Sequence, residues 1–174
     1  MSQALSERIK SLPASATLAM AAKARELKNE GKDIIGLSLG EPDFNTPDFI
    51  KEAAIEAINA DYNSYTPVDG YVELKEAICE KFKRDNGLDY APNQIVVSTG
   101  AKQSIANAVQ VLINPGDDVL LVAPYWVSYS AIVILAEGNP IEIRSDIETD
   151  FKITPAQLEA AITPKTKLVM LNSP

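Results

Sequence analysis

The residues best placed to do chemistry are Ser98-Thr99-Gly100-Ala101-Lys102-Gln103. The β-branched run Ile95-Val96-Val97 leads through a glycine directly into a segment with one apolar face, the pattern of a strand, a tight turn and a helix. Such an arrangement gathers free backbone N–H groups at the positive end of a helix and offers a seat for an anion such as phosphate. Gly100 permits the turn, Ala101 and Lys102 fall in the first helical turn, and the Lys102 side chain either adds a cation or points into solvent. The same pattern serves equally as a plain glycine hinge. A second group, Ala123-Pro124-Tyr125-Trp126-Val127-Ser128-Tyr129, follows the apolar run at 119–122, at the strand end where parallel α/β sheets collect ligands. Trp126 is the single tryptophan, and its flat side chain suits stacking on a planar ring as well as filling space under a loop. An anion seat and a stacking face at two strand ends suggest a planar, phosphorylated ligand.

Competing chemistries are excluded by residue type. The chain of 174 residues has no histidine and one cysteine, Cys79, which removes histidine-based catalysis, disulfides within the chain and the usual zinc centres. A formal charge of −8 argues against nucleic acid or an anionic membrane as partner, so an anionic ligand must be held by local geometry. Neither a Walker loop nor Gly-x-Gly-x-x-Gly is present. No apolar stretch reaches the roughly 20 residues needed to span a bilayer, and the N-terminus lacks the order of a signal peptide. The expectation is a soluble, cytoplasmic protein.

The elements that must position these groups alternate. Helices are expected at 17–30, closed by Gly31; at 47–58, capped by Thr46 with Ile50, Ala54, Ala57 and Ile58 inward; and at 72–84, with Leu74, Ala77, Ile78 and Phe82 apolar and Glu80 paired to Arg84. Residues 33–39 form a short extended run before the loop Gly40-Glu41-Pro42-Asp43, in which both acids serve as loop and capping residues. Further helices are expected at 101–113, burying Ile105, Ala108, Val109 and Leu112, at 128–136, and at 155–162 behind a Thr154/Gln157 capping box. Strands are expected at 95–97, 119–122, 141–143 and 168–171. Glu137, Glu142 and the acids of 146–150 read as solvated surface. Strands without alternation, separated by helices, imply a parallel sheet covered on both faces: an α/β fold.

A family resemblance joins these segments. Ser38-Leu39-Gly40-Glu41-Pro42-Asp43-Phe44-Asn45-Thr46-Pro47 resembles the entry motif of class I pyridoxal-phosphate aminotransferases. Tyr65-Thr66-Pro67-Val68-Asp69-Gly70 with Glu73-Leu74-Lys75, the stretch from Ser98 to Gln103, Pro124-Tyr125-Trp126 and Asn172-Ser173-Pro174 resemble their later signatures in the same order. Within the family the chain is most similar to the bacterial aspartate aminotransferase branch.

The resemblance implies a three-layer, mostly parallel sheet of the fold type I class, here truncated. Residues 1–45 would be the N-terminal segment of a small domain, and 46–174 the incomplete N-terminal part of the large cofactor-binding domain. The cofactor would be pyridoxal 5'-phosphate. Gly100, Ala101 and Lys102 would hold its phosphate through main-chain donors, and Trp126 would stack on its ring. Gly40 would offer its backbone to the substrate carboxylate. Tyr65 would reach across a homodimer to the phosphate of the neighbouring subunit's cofactor, or else pack on its own subunit. The activity implied is amino-group transfer between aspartate, or a similar amino acid, and 2-oxoglutarate. Leu12 precedes Pro13 where many relatives have lysine, a departure that argues against assigning a preference for a bulkier acidic substrate. No metal is implied.

No lysine of the chain matches the context of the Schiff-base lysine, which would lie beyond residue 174, so no catalytic residue is assigned. The family's sheet order also implies that 119–122, 141–143 and 168–171 lie together, while 95–97 belongs elsewhere in the sheet and loses its neighbours. The expectation is a fragment of a larger enzyme; the alternative is a catalytically inactive binding or dimerisation module, detectable as a mixed dimer by native mass spectrometry.

Overall fold

The computed structural model describes residues 4–37 and 40–173. Ser38 and Leu39 of the entry motif, and Pro174 of the last one, lie outside the described residues. The chain forms two compact units, one from residues 1–39 with 101–174 and the other from residues 40–100.

The first unit is built around three parallel strands. These are β1 (Asp118–Ala123), β2 (Asn139–Arg144) and β3 (Thr166–Met170), in the order β2-β1-β3. Leu120 pairs in register with Ile141 on one side and Val169 on the other. The central strand explains its lack of alternation, since Val119, Leu120 and Leu121 are all fully buried. Val119 and Leu121 meet Val109 of α5 (Ala101–Leu112), Ile113 just after it, and Ile132 and Val133 from α6 (Ser128–Leu135). Strand alternation turns Leu120 to the opposite face. Each such side chain contributes about 1.5–3 kcal/mol when taken from water. On α5 the buried line differs from the expected one: Ala108 and Leu112 are exposed, while Ile105, Ala106, Val109 and Ile113 face the core.

Helix α7 (Pro155–Ala161) begins as its composition requires. Thr154 Oγ1 accepts from Gln157 N at 3.2 Å and Gln157 Oε1 accepts from Thr154 N at 2.8 Å, the two halves of the capping box. At the amino ends of the strands, the Asp118 carboxylate accepts from Thr163 Oγ1 (2.7 Å) and Asn139 Nδ2 (3.1 Å). One buried carboxylate thus joins β1 to β2 and to the segment entering β3. Two more helices complete the unit, α1 (Glu7–Lys10) and α2 (Ala16–Asn29), the latter followed by Gly31 at φ +82°. Residues 32–37 form no strand.

The second unit contains α3 (Asp48–Asn59), α4 (Val72–Asn86) and a 3-10 turn, Pro92–Gln94. Helix α3 starts one residue later than expected, with Pro47 rather than Thr46 at its cap and no side-chain cap bond. None of its residues is buried among those described, so Ile50 and Ile58 do not face a core here. Helix α4 ends on Gly87 in the left-handed conformation (φ +67°), whose N–H bonds Lys83 O while Leu88 N bonds Phe82 O. Its buried residue is Lys75, not the expected Leu74, which is exposed. Arg84 pairs with the adjacent Asp85 at 2.7 Å in place of Glu80. Residues 95–97 are extended but form no strand ladder; Ile95 N bonds Pro92 O at 3.2 Å and Val97 N bonds Asp69 O at 3.1 Å. Among the described residues no helix is long and apolar enough to cross a membrane.

Candidate cofactor site

The carboxyl ends of the three strands open into one cleft. It is lined from the end of β1 by Val122, Ala123, Pro124, Tyr125 and Trp126, from the turn after β2 by residues 150–153, and from the end of β3 by residues 171–173. Parallel sheets place ligands here because each strand hands over to a loop at that edge, and loop atoms converge there.

Trp126 lies at the turn between β1 and α6, just over a third exposed, and Tyr129 N bonds its carbonyl at 2.9 Å. The Tyr129 ring meets the indole edge-to-face, with centroids 5.7 Å apart and planes at 84°. Tyr129 also lies parallel to Tyr125 at 6.4 Å. The turn is clamped from β2 and just beyond it: Ser145 Oγ donates to Ala123 O, and Tyr125 Oη donates to Glu142 Oε2 at 3.4 Å. Glu142, exposed as its sequence suggested, also accepts from Arg144 Nε at 2.8 Å, so this surface carboxylate ties the turn to β2. Burial, and then the Glu142 carboxylate, push the Tyr125 phenol above its ordinary value, so it remains a donor at neutral pH.

Helix α5 supplies the second wall of chemistry. Its first turn carries no acidic residue, and its opening N–H groups have no intrahelical acceptor. The Lys102 ammonium, which the sequence left open between ligand and solvent, stands 4.9 Å from the centroid of the Trp126 ring. A cation, helix-end donors and an indole are therefore assembled beside a strand-end cleft. The helix-end donors and the ammonium match an anionic group, and the indole beside them is the aromatic surface nearest to it.

The remaining candidates are placed as follows. Gly100, the last residue of the 40–100 unit, has φ +81°, a conformation that favours glycine, and its N–H bonds Ser98 O at 2.9 Å. It contributes the turn while Ala101 and Lys102 carry the helix-end N–H groups. Gly40 and Tyr65 belong to the 40–100 unit, and both are exposed, with no atom within 4 Å of a Cβ built on Gly40. Ser145 escapes the sequence reading, Tyr129 falls in the 123–129 segment without a role of its own, and Glu142 reads only as surface. The spacing of Tyr129 three residues after Trp126 was the available signal for its role; Ser145 and Glu142 act across strands and leave no local trace. Asp150 and Phe151, on the cleft wall, both adopt left-handed backbone (φ +54° and +53°) without being glycine, which their residue types do not announce. Among the described residues no group of three or more His, Cys, Asp or Glu side chains is arranged to hold a metal ion.

Residues 32–174 match the family described as aminotransferase class I and II. The chain belongs to this family. It is 55% identical over 170 residues to the aspartate/prephenate aminotransferase of Cereibacter sphaeroides, covering 98% of this chain and 42% of that protein. It is 52% identical to the aspartate aminotransferase of a Bacillus species, covering all of this chain and 44% of that one. The crystal structure of the Rhizobium meliloti aspartate aminotransferase superposes with a TM-score of 0.93 at 49% identity, over 98% of this chain and 42% of that one. The Thermus thermophilus aspartate aminotransferase with maleate gives a TM-score of 0.92 at 44% identity, over 98% and 44%. The chain thus has the α/β fold of the aspartate aminotransferase branch and spans less than half the length of these relatives. The family is pyridoxal-phosphate-dependent.

Proposed function

We propose that this chain is the N-terminal portion of a pyridoxal-phosphate aminotransferase that moves an amino group between aspartate, or a similar amino acid, and 2-oxoglutarate in the cytoplasm. The observation that carries this reading is the Lys102 ammonium above the Trp126 indole, beside the cleft at the carboxyl ends of the strands.

Each residue then has a defined task. The N–H groups of Ala101 and Lys102 bind the cofactor phosphate, Gly100 sets the turn that aims them, and Trp126 lies against the pyridine ring. Tyr125, Tyr129, Glu142 and Ser145 hold the indole in place. When bound, the cofactor supplies the electron sink that amino-group transfer requires. Gly40 offers its backbone to the substrate carboxylate, residues 1–45 belong to the small domain and 46–174 to the large one, and Tyr65 reaches the cofactor phosphate of a second subunit. No lysine of this chain stands in the context of the family's Schiff-base lysine, so the roles assigned to its residues are binding and orienting the cofactor. The Thermus protein's maleate is a dicarboxylate, in line with an acidic substrate here.

The full-length protein is expected to show the cofactor's visible absorbance and to lose it in Gly100→Asp, which sets a carboxylate beside the phosphate seat. Retained absorbance in that variant, or none in the parent, overturns the reading.

A further inference from the structure

Lys75, about 6% exposed, is the buried residue of helix α4, whose apolar Ile78, Cys79 and Phe82 are only half-buried. A lysine on such a helix ordinarily extends its ammonium into water. Here Nζ donates instead to Asp69 Oδ2, whose side chain is half exposed. That hydrogen bond holds the Asp69 carboxyl below its ordinary range.

Asp69 stands at the root of a loop that is fastened at several points. Gly70 N bonds Pro67 O at 3.0 Å, and Val97 N bonds Asp69 O at 3.1 Å. Gly70 has φ +101°, and a Cβ there would meet Val97 Cγ2 at 2.6 Å, so the loop lies directly on the 95–97 segment. Tyr62 and Tyr71, at the loop's two ends, meet edge-to-face at 6.3 Å. The tip is the opposite: Tyr65 and Val68 are fully exposed. A pinned base beneath a wholly solvated aromatic tip is the build of a presenting arm, in which the order of the base limits the entropy lost when the tip docks.

We propose that Lys75, acting through Asp69, is a positioning residue that holds the 62–71 loop so that Tyr65 is presented to the cofactor phosphate of a second copy of the protein. This rests on the function proposed above. Lys75 touches neither cofactor nor substrate; its ammonium fixes Asp69, and Asp69 fixes the loop.

The test is a double-mutant cycle in the full-length protein, read by titrating the apoprotein with pyridoxal phosphate. Tyr65→Phe is expected to weaken binding about tenfold, the scale of one hydrogen bond to a charged group. Lys75→Met is expected to weaken it to a similar degree, the double variant no further than Tyr65→Phe alone, and Lys75→Arg to bind within about twofold of the parent. A purely structural Lys75 gives a different pattern: the two losses multiply, or Lys75→Met lowers the melting temperature and leaves affinity unchanged. Either result overturns the inference while leaving the functional reading intact. If Lys75→Met does not fold, Asp69→Asn replaces it in the cycle with the same outcomes. A parent that binds no cofactor, or a Tyr65→Phe variant that binds like the parent, overturns the functional role of Tyr65 and the inference with it.

Discussion

The Lys102 ammonium lies 4.9 Å from the centre of the Trp126 indole, joining the first turn of one helix to the turn that opens the next. A cation over an indole face is worth about 0.5–1 kcal/mol at a partly exposed site. Its larger consequence is placement: the helix-end donors at Ala101 and Lys102 and a flat aromatic face are brought to one side of the cleft. Removing either partner should therefore reduce affinity for a phosphorylated ring without unfolding the sheet, whose core residues are elsewhere.

Trp126→Ala in the full-length protein is expected to weaken pyridoxal-phosphate binding by about 0.5–1.5 kcal/mol, the range for one aromatic stack, with Trp126→Phe losing less. Spectrophotometric titration measures both. Equal affinity in the alanine variant would remove the indole from the site.

Gly138→Ala tests the packing behind the sheet. A Cβ at 138 would stand 2.7 Å from Ile113 Cγ2, 3.2 Å from Val133 Cγ1 and 3.3 Å from Asp117 O. These neighbours belong to or adjoin the packed core and have little room to retreat. The expected loss is about 1–3 kcal/mol, seen as a lower urea midpoint.

Thr154→Ala removes the hydroxyl that accepts from Gln157 N and leaves a first-turn donor of α7 without its cap. The expected cost is about 1 kcal/mol, confined largely to that helix. Hydrogen exchange of the α7 amides should accelerate while β1 amides keep their protection.

Asp118 predicts a pH dependence. Hydrogen bonds from Thr163 and then Asn139 lower its carboxyl below the ordinary value. A carboxyl depressed in the folded state contributes stability that is complete above its unfolded value, about 3.9, and is lost as pH falls through the lower folded value. The parent protein should therefore lose more stability than Asp118→Asn between neutral pH and about pH 3. Parallel urea titrations at the two pH values check it, and identical pH dependence would show that the carboxylate carries none of the effect.

Much of the architecture was legible because its signals are local. The capping box at 154–157 and the unbroken apolar run at 119–122 act within a few residues of themselves, and the elements formed where those residues stand. Gly87 is another such signal: the helix stops at Asn86-Gly87, where the glycine takes the left-handed conformation that closes α4. Burial was less legible. A helical stripe identifies an apolar face but not whether anything covers it, so α3 keeps Ile50 and Ile58 exposed, and on α4 the buried position goes to Lys75 because Asp69 supplies a partner for its charge. Arg84 likewise took the nearest carboxylate, Asp85, over the helical neighbour Glu80.

By itself the amino-acid sequence determined the class of the fold, the turn at Gly100 and the residue types proposed for a phosphate-and-ring site, since periodicity, glycine and aromatic placement are properties of short segments. Only the tertiary structure decided that Lys102 stands over Trp126, that Glu142 and Ser145 clamp the turn carrying it, and that Lys75 turns inward. Those contacts depend on which side chains the folded backbone brings within a few ångströms, and the energies that select them arise only after water has been excluded between elements distant in the chain.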